Sequence, residues 1–246
     1  MKVALVTGGN GGIGSAICAA LADKGYKVAG GYYPADKENA EAWEAEMRAN
    51  GKDVTAVAGD VSNFASCEAM IAHVESELGP IEVLVNCAGI TRDTTFKKMT
   101  PEQWGSVLQT NLDSAFNVTR PVINQMLERG SGRIVNVSSV NGQRGQFGQA
   151  NYSAAKAGLH GFTMALAQET ARKGITVNTI SPGYISTPMT QAMPENVLEA
   201  IVNSVPMGRM GEPEEIASAV SWLVDERSAY ITGANIPVNG GLFMSA

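Results

Sequence analysis

The stretch Val3-Ala4-Leu5-Val6-Thr7-Gly8-Gly9-Asn10-Gly11-Gly12-Ile13-Gly14 decides the fold. Its first four residues are apolar without a break, as in a strand covered on both faces by other layers. The next eight hold five glycines. Beyond them Ile13, Ile17, Ala20 and Leu21 recur at helical spacing, and Gly25 is placed to end the helix. Glycine tolerates positive φ and lets backbone approach a ligand, and a new helix presents free N–H groups at the positive end of its dipole. Such a corner suits a pyrophosphate. An ordinary strand-to-helix turn rich in glycine looks the same, so the motif depends on its context.

That context is an alternation of short β-rich runs and longer helical stretches. Further strands are expected at 27–31, 54–58, 83–86, 134–137, 175–180 and 236–238. Gly51 closes a helix over 36–50, Asn63 caps one over 63–78, and Thr100 caps another that opens with Pro101-Glu102. The longest helix is expected over 151–172. This pattern predicts one α/β domain over residues 1–246, a Rossmann-type doubly wound parallel sheet with helices on both faces. The least regular stretch, 181–194, carries Pro182, Pro188 and Pro194. It reads as a mobile flap over a site, with the substrate flap as a whole covering about 181–210.

Composition narrows the function classes. Hydrophobic residues are 44% and charged residues 17%, which fits a packed globular chain and not a disordered one. The net charge of −6 lacks the basic footprint of a nucleic-acid binder, so no nucleic-acid partner is expected. Cys18, Cys67 and Cys87 are odd in number and form no C-x-x-C, and His73 and His160 are the only histidines. A disulfide framework and a metal site are both disfavoured, and the expected setting is a reducing cytoplasm. The apolar run Val3-Ala4-Leu5-Val6 is too short for a signal-peptide core, and no run approaches a membrane span, so no membrane partner is expected.

The spacing T-G-x-x-x-G-x-G, carried by Thr7, Gly8, Gly12 and Gly14, resembles the short-chain dehydrogenase/reductase family. Asn86-Cys87-Ala88-Gly89 is similar to that family's N-N-A-G element, with Cys87 departing at the second position. Asp60-Val61 and Pro182-Gly183 with Thr187 follow in the family's order. The resemblance covers nearly the whole chain. It implies a nicotinamide dinucleotide held by Gly8, Asn10, Gly12, Ile13 and Gly14, by Asp60 and Val61 at the adenine, by Asn86, Ala88 and Gly89, and by Pro182, Gly183 and Thr187 at the carboxamide. NAD-specific members often carry an acid at the end of the second strand, whereas NADP users carry basic groups there. Here Gly31-Tyr32-Tyr33-Pro34 shows no acid at that point, the glycine turn lacks an arginine, and Lys37 stands between Asp36 and Glu38. The expectation leans to NADPH, the usual choice of the reductive branch, with NADH as the alternative.

Tyr152 and Lys156 are four apart at the start of a helix and so share a face. Alone, Tyr-x-x-x-Lys is most often a surface pair. Ser139, thirteen residues before Tyr152, keeps the family's separation between catalytic Ser and Tyr, and Asn111 matches its fourth catalytic position. Reducing a ketone with hydride requires a proton for the developing alkoxide, and a free phenol has a pKa of about 10. By resemblance, Tyr152 donates that proton and Ser139 hydrogen-bonds the substrate oxygen. Lys156 lowers the phenol pKa and bonds the ribose, together with Tyr152, while Asn111 supports a water leading protons to Lys156. His160 and Cys87 read as packing residues, and the absence of G-x-S-x-G removes a serine hydrolase.

The stretches 90–99 and 140–152 resemble the acetoacetyl-CoA reductase branch, which makes (R)-3-hydroxybutyryl-CoA for polyhydroxybutyrate synthesis. That resemblance implies an acyl-CoA pocket of Asp93, Lys98, Ser139, Gln146, Phe147, Gln149 and Tyr184, and a homotetramer. Two rivals stand beside it. A 3-oxoacyl-acyl-carrier-protein reductase shares the chemistry but requires a basic patch at the mouth. A nucleotide-binding regulator without turnover would not need the intact Asn111, Ser139, Tyr152 and Lys156 set.

Overall fold

Strand β1 (Val3–Thr7) is buried along its whole length, and the reason is its alternation. Ala4 and Val6 point into one apolar layer, Val3 and Leu5 into the other, so the four apolar residues face no water on either side. The computed structural model of the chain describes residues 1–244. In chain order β1 is followed by α1 (Gly12–Asp23), β2 (Lys27–Tyr32), α2 (Lys37–Ala49), β3 (Val54–Ala58), α3 (Phe64–Glu77) and β4 (Ile81–Asn86). Then come α4 (Pro101–Leu108), α5 (Ser114–Arg129), β5 (Gly132–Val137), α6 (Val140–Arg144), α7 (Ala150–Thr170) and β6 (Ile175–Pro182). The chain closes with α8 (Pro188–Gln191), α9 (Glu195–Ser204), α10 (Pro213–Leu223) and β7 (Asn235–Val238).

The strands form one parallel sheet in the order β3-β2-β1-β4-β5-β6-β7. On one face Ile17 and Leu21 of α1 meet Ile216, Val220 and Leu223 of α10 over Ala4, Val6, Val83 and Val135. On the other, Met70 and Val74 of α3, Val122 and Met126 of α5 and Ala167 of α7 cover Leu5, Leu84, Ile134 and Val177. Each such buried aliphatic side chain stabilises the fold by about 1.5–3 kcal/mol before entropy is counted. The strand order reverses between β1 and β4, which opens a crevice at the carboxyl ends of the strands. No helix among the described residues is long and apolar enough to cross a membrane.

The helix signals act as expected where a side chain can be seen to cap. Asn63 accepts the Ser66 N–H at 2.9 Å. Thr100 and Gln103 exchange reciprocal bonds at the start of α4. Two expectations shift. The longest helix ends as α-helix at Thr170 and passes into a 3-10 turn, Ala171–Lys173. The expected irregular flap begins with Ser181 and Pro182 still inside β6, and its later prolines start helices: Pro188 opens α8 and Pro194 caps α9. Its two ends are clipped together, with Ser186 N–H on Gly211 O at 2.8 Å and Gly211 N–H on Tyr184 O at 2.9 Å.

Candidate active site

The glycine turn borders a cleft of about 560 Å³ at the crevice between β1 and β4. Helix α1 starts without a side-chain cap and without an acid in its first turn, so its amide end is left for an anion. Gly8 has φ +66°, and a Cβ there would stand 3.0 Å from Ala88 Cα. A Cβ on Gly14 would fall onto the Gly8 carbonyl. Thr7 fastens the two strand ends: its Oγ1 accepts the N–H groups of Cys87 at 3.0 Å and Ala88 at 3.1 Å. The cleft is walled by Gly8, Asn10, Gly12, Ile13, Gly14, Ala88, Gly89, Pro182, Gly183 and Thr187, ten of the residues expected to hold a dinucleotide. Bare backbone amides at a helix start and a cradle that side chains would fill fit a dinucleotide diphosphate.

Three expected contacts lie elsewhere. Asn86 stands behind the wall, donating to Thr119 Oγ1 at 3.2 Å and Asn136 Oδ1 at 2.8 Å. Asp60 accepts from Ser62 N–H and Oγ, and Val61 accepts from Asn117 Nδ2; neither lines the cleft. These residues are strand-end fasteners in this structure. A residue just past a strand end sits near the crevice whether or not its side chain turns into it.

The expected catalytic group converges. Ser139 caps α6, its Oγ accepting the Asn141 N–H at 3.1 Å. Tyr152 and Lys156 project from the first turns of α7, with Nζ 5.7 Å from the phenol ring centre. Lys156 is gripped at both ends: Nζ donates to Val137 O at 2.8 Å, and its carbonyl accepts from Ser138 Oγ at 2.7 Å. Asn111 lies in a π-helical turn, Gln109–Asp113, between α4 and α5. Its amide pairs both ways with Ile90, accepting the N–H at 2.8 Å and donating to the carbonyl at 2.9 Å. A Cβ on Gly89 would lie 3.4 Å from Asn111 Oδ1 and 3.5 Å from Lys156 Nζ, so this glycine keeps open the gap the two groups share.

Burial dominates the electrostatics of the site without its cofactor. Burial raises the Tyr152 phenol above its ordinary value, while the Ser139 hydroxyl works against the rise. The same burial pulls the Lys156 ammonium down to about 8. Two titratable groups in one dry site each favour their neutral form. Cys87 also lines the cleft, and burial pushes its thiol up to about 11. His160 faces Ser181 at 3.3 Å, outside the cleft wall.

A second cavity, about 450 Å³, lies between the α6–α7 loop and α9. Asp93, Gln146, Phe147, Gln149 and Tyr184 line it, so five of the expected substrate residues come together, while Ser139 stays on the first cleft. Lys98 sits in an exposed 3-10 turn, Phe96–Lys98, outside both walls. Gln149 donates to Asp93 Oδ2 at 2.7 Å and accepts from Asn141 Nδ2 at 3.0 Å. Sequence reasoning missed Asn141, Arg144 and the apolar side of α9, Val197 and Ile201. The one available signal was that Asn141 follows Ser139 by two residues.

Known proteins resemble this chain over nearly its whole length. The family model for short chain dehydrogenase matches residues 2–198. The chain is 58% identical over 243 residues to an acetoacetyl-CoA reductase of Allochromatium vinosum, covering 99% of each chain. It is 55% identical to the acetoacetyl-CoA reductase of Cupriavidus necator, over 99% of this chain and 98% of the relative. A 3-oxoacyl-[acyl-carrier-protein] reductase of Vibrio cholerae is 46% identical over the same shares. The match covers the glycine turn, the strand ends from β1 to β6 and α7, and on it the chain belongs to the short chain dehydrogenase family.

Proposed function

We propose that the chain reduces acetoacetyl-CoA to (R)-3-hydroxybutyryl-CoA. The observation that carries this reading is that the Ser139, Tyr152 and Lys156 cleft is flanked by a cavity of mixed polar and apolar walls, as an acyl-CoA arm requires. The names borne by relatives at 58% and 55% identity support it. The family's nicotinamide dinucleotide supplies the hydride when bound. Ser139 Oγ already accepts the Asn141 N–H, which leaves its own proton for the substrate carbonyl. Tyr152, kept neutral by burial, holds the proton a developing alkoxide takes. Lys156, with a pKa near 8, releases a proton readily to restore that phenol, and Asn111 faces it across the gap left by Gly89.

The cofactor reading moves from NADPH to NADH. Asp36 stands beside the glycine turn, where Asn10 Nδ2 donates to it at 2.5 Å and Asn39 Nδ2 does the same from the other side. Lys37, next to Asp36 in sequence, is turned to Glu41 at 3.5 Å. A carboxylate there favours a ribose hydroxyl over a phosphate. The groove along α5 and α7, with Phe116, Ile123 and Phe162, supports a homotetramer, and the buried thiols of Cys18 and Cys67 fit a cytoplasmic setting.

The test is initial-rate oxidation of NADH and of NADPH with acetoacetyl-CoA and with acetoacetyl-acyl-carrier protein. Turnover of the CoA thioester with a higher kcat/KM for NADH is expected. A carrier-protein substrate turned over much faster would move the chain to the acyl-carrier-protein reductases. No turnover of either would leave a nucleotide-binding regulator.

A further inference from the structure

Asp93, Gln149 and Asn141 form a polar chain along one wall of the cavity between the α6–α7 loop and α9. The orientation of both amides follows from its acidic end. A carboxylate only accepts, so Gln149 turns Nε2 to Asp93, 2.7 Å away. Its Oε1 is then left for Asn141, which must answer with Nδ2 at 3.0 Å. Asn141 Oδ1 is therefore the free end, and it has no partner.

Asn141 is only 8% exposed, and Oδ1 itself is closed off from solvent. A buried acceptor without a partner is rare and costly. Of the buried side-chain atoms left unpaired among the described residues, this one alone belongs to a residue that lines a cavity of the site. The same residue gives its backbone N–H to Ser139 Oγ, so its side chain sits close behind the hydroxyl that meets the reacting carbonyl. The 3-oxoacyl end of a thioester has no hydrogen-bond donor to offer. The arm beyond the sulfur, where it carries a secondary amide, does.

We infer that Asn141 is a specificity-determining residue whose Oδ1 accepts the N–H of a secondary amide in the substrate's carrier arm. This rests on reading the chain as a 3-oxoacyl thioester reductase. The side chains that now shield Oδ1 part as the arm fills the cavity, and the exposed Phe147 at its rim is free to move aside. Asp93 and Gln149 act through Asn141, holding its amide in the one orientation that presents oxygen.

Two small thioesters test this, acetoacetyl-N-acetylcysteamine, which has one amide, and S-ethyl 3-oxobutanethioate, which has none. The wild type should favour the first. Asn141→Leu should shrink that preference by about three- to tenfold, chiefly through KM for the amide-bearing substrate. Asn141→Ala repeats the measurement should leucine overpack the wall. Equal losses on both thioesters, carried by kcat, would mean that Asn141 serves only to hold Ser139, and would overturn the inference. A wild type indifferent to the amide would overturn it too, with the reductase reading intact. Turnover of neither thioester would overturn both.

Discussion

Replacing Lys156 with methionine should stabilise the protein free of ligands, and by an amount that depends on pH. Lys156 is 4% exposed, and burial lowers its pKa from the ordinary 10.5 to about 8. At ~1.4 kcal/mol for each tenfold in the proton equilibrium, that gap corresponds to about 3 kcal/mol. The sign follows from linkage. Below pH 8 the lysine is protonated in both states, and the folded chain carries the full penalty of a buried ammonium. Between pH 8 and 10.5 the unfolded chain binds the extra proton, so the penalty fades as pH rises, to about 1 kcal/mol at pH 10. Methionine has similar length and no charge. It forfeits the bond to Val137 O, worth about 1 kcal/mol, so the net gain at pH 7 should be about 2 kcal/mol. Urea unfolding of both proteins at pH 7 and pH 10 measures this, and the advantage should shrink by about 2 kcal/mol between them. The difference between the two proteins cancels the buried Cys18 thiol, whose raised pKa pushes the other way. An advantage that is absent at pH 7, or that grows with pH, would refute the assignment of Lys156 as a buried, desolvated cation.

Tyr152→Phe should lower kcat by about 10²–10⁴-fold while dinucleotide affinity, read by fluorescence titration, stays near wild type. Retention of a sizeable part of the rate would remove the phenol from the proton path. Thr7→Val should cost about 2 kcal/mol in urea unfolding, because the N–H groups of Cys87 and Ala88 both lose their acceptor. A loss below about 0.5 kcal/mol would show that water replaces the hydroxyl at both amides.

What was legible in the sequence follows the physics of each feature. Val3-Ala4-Leu5-Val6 announces a doubly covered strand because no polar residue interrupts it, and the glycines after it have few other uses in a strand-helix corner. Strand ends are less legible: β5 begins at Gly132 and not at Ile134, because pairing of Gly132 with Ile175 is a backbone affair that side chains do not advertise. The π-helical turn at Asn111 has no residue signature at all. Asp36 looks remote from the glycine turn until the short turn Pro34–Asp36 folds its carboxylate back onto Asn10. The setting of the Tyr152 phenol is hidden for a similar reason: sequence reveals a charged neighbour four residues away, but not the burial that raises the phenol.

One feature of the interior makes sense only with the site in view. Beneath the cleft Asn86, Asn136, Thr163 and Thr179 run in a hydrogen-bonded row across β4, β5 and β6 to α7. All four are buried, Asn136 and Thr179 completely. Aliphatic residues there would pack as well and leave no amide to satisfy. A hydrophobic contact, however, is tolerant of small slides, whereas a bond of 2.8 Å from Asn136 to Thr163 fixes the rotation of α7 about its axis. Thr163 lies two helical turns below Lys156, on the face that also carries Tyr152. Ser138, bonded to the Lys156 carbonyl, fixes the same helix one step higher. The row therefore acts as a register pin: it sets the direction in which phenol and ammonium leave the helix, at the strand ends where Ser139 waits. A neutral phenol gives the Lys156 ammonium little Coulomb attraction to hold the pair in place, and the buried polar row supplies the positioning that charge does not.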